Sequence, residues 1–362
     1  TAGHRHSCVL TTDASVWCWG DTLGATYTGG GQPWSRVPRQ VPGDTWRNEA
    51  ITSVKAGFAF TCAMSLADTV WCWGRGTHGE LGNGGSETSE TPTRTLLPGL
   101  QSGHPATAMP LVQSSVEADR VIAFSVGPSQ SCSALLGSGL WCWGSGRTAG
   151  GQHPLLDVSQ SDSPWTPAHV EVPAWDDAGL AIASLSVSHW HACTLMSDGS
   201  LWCWGRNHRG QLGTGKVDTS PVYVPQIVRE SMWGTGHNKL RVTRIALHVP
   251  GACALVEDGT VWCWGGGAFG ALGIGNTGTA LEPLPRQVQA TEWGMHPEGV
   301  PVVDLSSGEH NGYAILGNGS LWAWGRSAAV PSLQDEWLPV EVQVGPDPNG
   351  VNDSASFVMA RP

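Results

Sequence analysis

A single motif recurs along the whole chain, and this repetition limits the fold more than any other feature. It reads CVLTTDASVWCWG at residues 8–20 and CTLMSDGSLWCWG at residues 193–205. Successive copies start 54 to 70 residues apart, so six units account for the 362 residues. Repeats of this length are typical of arrays in which each unit buries its surface against its neighbours. The six copies begin at Cys8, Cys62, Cys132, Cys193, Cys253 and Tyr313.

Each unit is predicted to be a small β-sheet. The motif is preceded by a β-branched run, such as residues 182–187, and in most units it is followed by a Pro-x-x-Val segment, such as residues 221–224. Short apolar runs separated by Gly, Asp, Asn and Pro turns indicate three or four strands per unit. Radial stacking of such sheets protects their edges. We therefore predict an all-β chain that forms a single β-propeller domain over residues 1–362, with six blades and seven as the alternative.

The two ends of the chain predict how the ring closes. Only residues 1–7 precede the first motif, whereas a strand-like segment at residues 354–360 has no motif after it. The two partial units together make one complete blade. We therefore expect the C-terminal strand to pair with the N-terminal hairpin.

The ten cysteines fall into five pairs, each separated by ten positions within a motif. In unit four, a three-residue loop at 197–199 places Cys193 directly opposite Cys203. Facing residues of a hairpin lie within reach of a disulfide bond. Unit six replaces both members together, with Tyr313 and Ala323, as expected for a bonded pair. Buried free thiols are the alternative, and the spacing is wrong for a zinc site. The predicted pairs are Cys8 with Cys18, Cys62 with Cys72, Cys132 with Cys142, Cys193 with Cys203, and Cys253 with Cys263.

Five bridges indicate an oxidising compartment. The chain also begins at Thr1 without a charged and then apolar leader, which fits a mature product after signal-peptide removal. We expect a protein that is secreted, on the cell surface or periplasmic.

Charge and hydropathy exclude two classes of partner. The net charge is -11, and Lys and Arg form no cluster longer than a dipeptide, so nucleic-acid binding is not expected. No apolar run approaches the roughly 18 residues that a membrane helix needs, so membrane insertion is not expected either.

Tryptophan is the most distinctive residue type, and twelve of the twenty flank the second cysteine position of a motif. Alternation along a strand places both of these rings on one face, and we interpret them as packing between neighbouring sheets. Four others lie in the loops that follow the Pro-x-x-Val strands. They form either an aromatic binding surface or anchors packed on the blade below. The candidate binding residues are Trp46, Trp175, Trp233 and Trp293, together with His104 in the long insertion of unit two.

Unit four resembles the repeat of the regulator of chromosome condensation superfamily. The resemblance is carried by HACTL at residues 191–195, DG at 198–199, WGRN at 204–207 and GQLGTG at 210–215. It implies a β-propeller, usually of seven blades, that acts as a protein-binding scaffold. Family roles include nucleotide exchange on a small GTPase with chromatin binding, a plant ultraviolet photoreceptor, and a secreted bacterial inhibitor of β-lactamase. This sequence departs from the family in having six motifs rather than seven, and its acidic charge and predicted disulfides argue against the nuclear role. Of the three roles, the secreted bacterial binder is the nearest in kind.

Catalytic motifs are absent from the sequence. There is no G-x-S-x-G, H-E-x-x-H or P-loop pattern, and no cofactor is predicted. His6 and His191 share a repeat position, two before the first cysteine, so we interpret them as structural and predict no metal site.

Three functional hypotheses remain. The leading hypothesis is a secreted scaffold that binds a protein partner through loops on one face of the ring. The alternative is a lectin that stacks one Trp per blade on a cell-surface glycan and gains avidity by repetition. A propeller enzyme without a recognisable motif is the third.

Overall fold

The computed structural model is built from antiparallel β-sheets. Six sheets are arranged as the blades of a propeller. Five of them have four strands, and the first has three strands among the described residues. The described residues are 1–21, 34–98, 120–136, 139–144, 155–156, 165–172, 175, 180–228, 241–275, 281–288, 300–326 and 336–342.

Strands follow one another in chain order within every blade, and each pairs with the next. Blade 1 contains β1 (His6–Leu10), β2 (Val16–Asp21) and β3 (Trp34–Gln40); blade 2 contains β4 (Ile51–Ala56), β5 (Phe60–Ser65), β6 (Val70–Gly74) and β7 (Ser89–Arg94); blade 3 contains β8 (Val121–Val126), β9 (Gln130–Leu135), β10 (Gly139–Gly144) and β11 (Ala168–Val170).

The second half of the chain repeats this order. Blade 4 contains β12 (Ile182–Val187), β13 (His191–Met196), β14 (Leu201–Gly205) and β15 (Val222–Ile227); blade 5 contains β16 (Val242–His248), β17 (Gly251–Val256), β18 (Val261–Gly266) and β19 (Leu281–Gln287); blade 6 contains β20 (Val302–Ser307), β21 (Asn311–Leu316), β22 (Leu321–Gly325) and β23 (Glu336–Glu341). Short 3-10 helices span Gly43–Trp46 and Ala268–Gly270.

The predicted hairpin register is confirmed in unit four. Met196 donates its backbone N–H to the Ser200 carbonyl oxygen, and Gly199 adopts a φ of 84° in the turn. This left-handed conformation suits glycine because it has no Cβ. Cys193 therefore lies opposite Cys203.

All five predicted cysteine pairs are bonded and buried. Their Cα atoms lie 4.1 to 4.2 Å apart. Because each closed loop is short, a bridge contributes about 2–3 kcal/mol in the chain-entropy account. In blade 6, Tyr313 and Ala323 occupy the same facing positions.

Tryptophans join neighbouring blades, as the alternation of faces predicts. Trp264 is fully buried, and its Nε1 donates to the Gln211 carbonyl oxygen of the preceding blade at 2.9 Å. Gly213 of that preceding loop has a φ of 67°, and a Cβ there would come within 2.9 Å of the same Nε1. The loop therefore needs glycine both for its backbone and for the indole. Equivalent bonds join Trp143 to Glu80 and Trp324 to Ala271.

The order of the strands gives the ring two distinct faces. Antiparallel strands reverse direction at each connection. Loops after first and third strands therefore emerge on one face, which we call the arginine face after Arg75, Arg206 and Arg326. The hairpin turns after second strands and the connections between blades emerge on the opposite face, which we call the turn face.

The predicted closure of the ring falls on residues 354–360, which lie outside the described residues. The described part of blade 1 begins with the second strand of the blade pattern, β1. The closing strand therefore stays a prediction.

Candidate binding face

Trp46 and Trp175 are the candidate tryptophans that the structure describes, and both lie buried on the turn face. Trp46 is 3% exposed, and its ring centroid lies 5.6 Å from that of Trp73 in an edge-on arrangement. Trp175 is 4% exposed and contacts Trp202 in the same way at 5.6 Å. The structure favours the anchor interpretation at both positions.

The remaining candidates are Trp233, Trp293 and His104. All three lie outside the described residues. Binding through them stays a prediction.

Hairpin turns on the turn face bond their own polar side chains. In blade 4, the Ser200 N–H and O–H donate to Asp198 Oδ1 at 2.9 and 2.7 Å, and Trp202 Nε1 donates to Ser200 Oγ at 3.2 Å. The same network recurs in three other blades. It comprises Asp13, Ser15 and Trp17; Asp258, Thr260 and Trp262; and Asn318, Ser320 and Trp322.

Hydrogen bonds also hold the carboxyl of Asp13 in its charged form. Donation from Thr11 and then from Ser15 lowers the pKa of Asp13 to about 2. This carboxylate is thus a structural acceptor in the turn.

Among the described residues, the arginine face carries three cation–π pairs. Each pair places the guanidinium carbon of an arginine over an aromatic ring. The distances to the ring centroid are 5.6 Å for Arg75 over Phe58, 5.8 Å for Arg206 over Trp190 and 5.0 Å for Arg326 over Phe269. The three arginines follow the Trp-Gly of units two, four and six, so the pairs occupy alternate blades of the ring. Cation–π contacts at exposed sites contribute about 0.5–1 kcal/mol each.

A histidine ring adjoins each aromatic ring of these pairs. His4 stacks on Phe58 at 4.2 Å. The other two contacts join His208 to Trp190 and His310 to Phe269, both at 5.3 Å. Burial lowers the pKa of His208 and His310, so both rings are neutral at pH 7.

Two further histidines lie beneath this face with almost no solvent contact. His191 and His248 are 0% and 1% exposed, and burial lowers the pKa of each to about 3. His6 is buried as well, and the burial of both rings is consistent with the interpretation of His6 and His191 as structural. The described residues bring together no group of three or more His, Cys, Asp or Glu side chains that could hold a metal ion.

The sequence did not predict the arginine face as a binding surface, because the loop tryptophans were the more conspicuous candidates. A signal was present in the recurrence of Trp-Gly-Arg at residues 73–75, 204–206 and 324–326. The aromatic partners are harder to find, because Phe58 and Trp190 come from the loop after a first strand and Phe269 from the loop after a third strand.

Family comparison now decides the class of propeller. Sequence models described as the regulator of chromosome condensation (RCC1) repeat match residues 1–22, 51–80 and 182–211, and residues 68–133, 198–248 and 258–315. These ranges together cover more than half of the chain. The chain belongs to the RCC1 repeat family.

Relatives of this RCC1-repeat chain include the ultraviolet-B receptor UVR8 of Arabidopsis thaliana. The two are 28% identical over 299 residues, which is 81% of this chain. The aligned part is 58% of the length of UVR8, so the whole receptor's activity does not transfer to this chain.

Solved structures agree on the fold. Human WBSCR16 has a TM-score of 0.74 and 21% identity, with coverage of 96% of this chain and 82% of that one. Prp20p from Saccharomyces cerevisiae, a protein described with its binding to Gsp1p and histones, has a TM-score of 0.70 and 17% identity, with coverage of 95% and 76%. At these identities the similarity concerns the fold alone.

The five disulfides of this RCC1-repeat propeller suggest an oxidising environment, either extracellular or periplasmic. Within the described ranges, no helix is both long enough and apolar enough to cross a bilayer.

Proposed function

We propose that this chain is a secreted, cell-surface or periplasmic scaffold of bacterial type that binds another protein through its arginine face. Its disulfide-stapled blades form a single propeller domain over residues 1–362. The proposal depends chiefly on one observation, the three cation–π pairs on that face. Arginine and aromatic side chains are the residue types most enriched at the energetic centres of protein interfaces.

Exposure supports the same face. Phe58 is 42% exposed and Phe269 is 39% exposed, although burying a large apolar ring normally stabilises the folded state. On the turn face, by contrast, Trp46 and Trp175 are already buried by their own protein. The arginine face therefore offers exposed aromatic surface that a partner can bury.

The family supports protein binding in general terms. Prp20p shares the fold and is described as binding Gsp1p and histones. No particular partner follows for this chain. The lectin alternative loses support at Trp46 and Trp175, because rings that are only 3% and 4% exposed offer no open face for a sugar to stack on.

Site-specific photocrosslinking tests the proposal. A photoreactive amino acid replaces exposed Thr77 on the arginine face or, as the matched control, exposed Ser197 on the turn face. Each protein is incubated with the extracellular fraction of the source organism. We expect a saturable protein adduct from position 77 that excess unlabelled chain suppresses. An adduct from position 197 alone would contradict the proposed face.

A further inference from the structure

Three arginines on blades 4 to 6 of the arginine face have no acidic partner in the part of the chain that the structure describes. Among the described residues, no carboxylate lies within ion-pair distance of Arg206, Arg209 or Arg326. Arg209 extends towards the neighbouring blade, since a Cβ on Gly266 would come 3.1 Å from its Cδ. The absence of a side chain at Gly266 therefore leaves room for this arginine between blades 4 and 5. We call these three arginines, with Trp190 and Phe269, the basic patch.

In blade 2, an internal carboxylate neutralises the arginine at the repeat position of Arg206. Arg75 Nε lies 2.8 Å from Oε1 of Glu80, whose side chain is fully buried. Glu80 also accepts the backbone N–H of His78 at 2.8 Å. In blade 4, Gln211 replaces Glu80 in the repeat and accepts the backbone N–H of Arg209 instead. Arg206 therefore lacks the internal counter-ion of Arg75.

The charge around the basic patch opposes that of the whole chain. Glu309 is an exposed carboxylate that acts on both His189 and His310, and it raises their pKa against the larger effect of burial. Three arginines without an ion pair among the described residues thus share this face with Glu309, whereas the whole chain carries a net charge of -11. A local excess of positive charge on an acidic protein favours an anionic partner through electrostatic complementarity.

Phe269 places a partly exposed apolar ring beside these arginines. It has a φ of 59°, in the left-handed region that bulky residues avoid, and it is 39% exposed. Its ring lies under Arg326 and beside His310. Strained residues of this kind cluster at binding sites, where the surrounding structure holds them in place.

We infer that the basic patch docks an acidic segment of the protein partner, with carboxylates on Arg206, Arg209 and Arg326 and apolar side chains on Trp190 and Phe269. The inference rests on the proposed function and adds the chemistry of the partner. A guanidinium held over an aromatic ring keeps its planar donors for bidentate bonds to carboxylates.

The composition of the basic patch favours a protein segment over a polyanionic glycan. Polyanion sites are built from clustered basic residues, and here two exposed or half-buried rings and a carboxylate lie among only three arginines. An acidic peptide with interspersed apolar residues complements both components.

Fluorescence polarisation of a labelled peptide tests the inference. The probe alternates Glu and Tyr, and a second peptide of the same length has Gln in place of Glu. We expect the acidic peptide to bind the intact chain at pH 7.5 and to weaken with added salt. The variant Arg206→Gln/Arg326→Gln should weaken its binding by about tenfold or more. The control Arg120→Gln/Arg241→Gln makes the same charge change on the turn face and should leave binding unchanged.

Three outcomes would overturn the inference. The first is equal binding of the acidic and Gln peptides, and the second is full affinity in Arg206→Gln/Arg326→Gln. The third is displacement of the peptide by heparin at a lower charge concentration, which would assign the patch to anionic glycans. Thermal unfolding of each variant checks that the fold is intact.

The two proposals fail in different ways. If the natural partner still crosslinks through position 77 to the Arg206→Gln/Arg326→Gln variant, the acidic-segment inference is wrong and the proposed function stands. If crosslinking occurs only through position 197, the proposed function is wrong whatever the peptide does.

Discussion

The two faces of the ring use aromatic side chains in opposite ways. On the turn face, Trp46 and Trp175 are buried against other indoles, and hydroxyl networks satisfy the hairpin tryptophans. On the arginine face, Phe58 and Phe269 remain more than a third exposed beneath guanidinium groups. The difference indicates that aromatic residues stabilise the propeller on the turn face and are available for recognition on the arginine face.

Truncating one ring on each face should separate these roles most strongly. We expect Trp46→Ala to lower the free energy of unfolding by about 3–5 kcal/mol, because it leaves a cavity beside Trp73. Phe269→Ala should lower it by about 1 kcal/mol or less, because the ring is 39% exposed and its loss removes one cation–π contact. Urea denaturation measures both. Equal losses in the two variants would remove the distinction between the faces.

Acid should destabilise the protein first through the arginine face. The pKa of His191 and of His248 is lowered to about 3 by burial, whereas an unfolded histidine titrates near 6.5. The unfolded state therefore binds more protons between these values, and stability is lost as the pH falls from 6.5 towards 3. Each histidine contributes a slope of up to about 1.4 kcal/mol per pH unit within that window.

The variant His248→Leu checks this assignment. It should flatten the dependence of the unfolding free energy on pH between 6.5 and 4. His4→Leu, at an exposed position on the same face, is the control. A wild-type stability that stays constant down to pH 4 would show that the buried rings do not govern acid unfolding.

The hydroxyl networks of the turn face should give a smaller effect. Ser200→Ala removes the O–H that donates to Asp198 and the oxygen that accepts from Trp202 Nε1. We expect a loss of about 0.5–1.5 kcal/mol in unfolding free energy. Ser200→Thr preserves the hydroxyl, as Thr260 does in blade 5, and should recover most of it. Calorimetry of the three proteins compares them, and an identical melting temperature for Ser200→Ala would contradict the structural role of the network.

The smallest effect is expected for an exposed ion pair. Arg120 Nε lies 3.3 Å from Oδ2 of Asp68 on the turn face, and the arginine side chain is 70% exposed. Arg120→Gln should change the unfolding free energy by less than about 1 kcal/mol. Urea titration at low and high salt measures the change. A larger loss would mean that this pair supports the turn face more than solvent screening allows.

Much of the fold follows from local sequence signals. The spacing of the motif predicts six blades, and the turn at 197–199 predicts which cysteines face each other; both agree with the structure. These features depend on strand alternation and hairpin length within one unit. Closure through residues 354–360 pairs distant segments, and it stays a prediction.

The candidate site was far less predictable. Trp46 and Phe58 are both aromatic residues in loops, yet one is 3% exposed and the other is 42% exposed. Sequence assigns the residue type, but exposure depends on whether a neighbouring blade covers the ring. Arg326 and Phe269 come from different blades, and no spacing within a unit predicts their contact.

The sequence by itself determined the repeat and the family, because both are carried by the motif of a single unit. It also determined the strand order and the facing cysteines, because these depend on contacts within one unit. Only the tertiary structure decided which rings are buried, which arginines lack a counter-ion and which loops share a face. Those properties arise where blades meet, since burial and charge pairing depend on atoms that the packing of neighbouring sheets brings together.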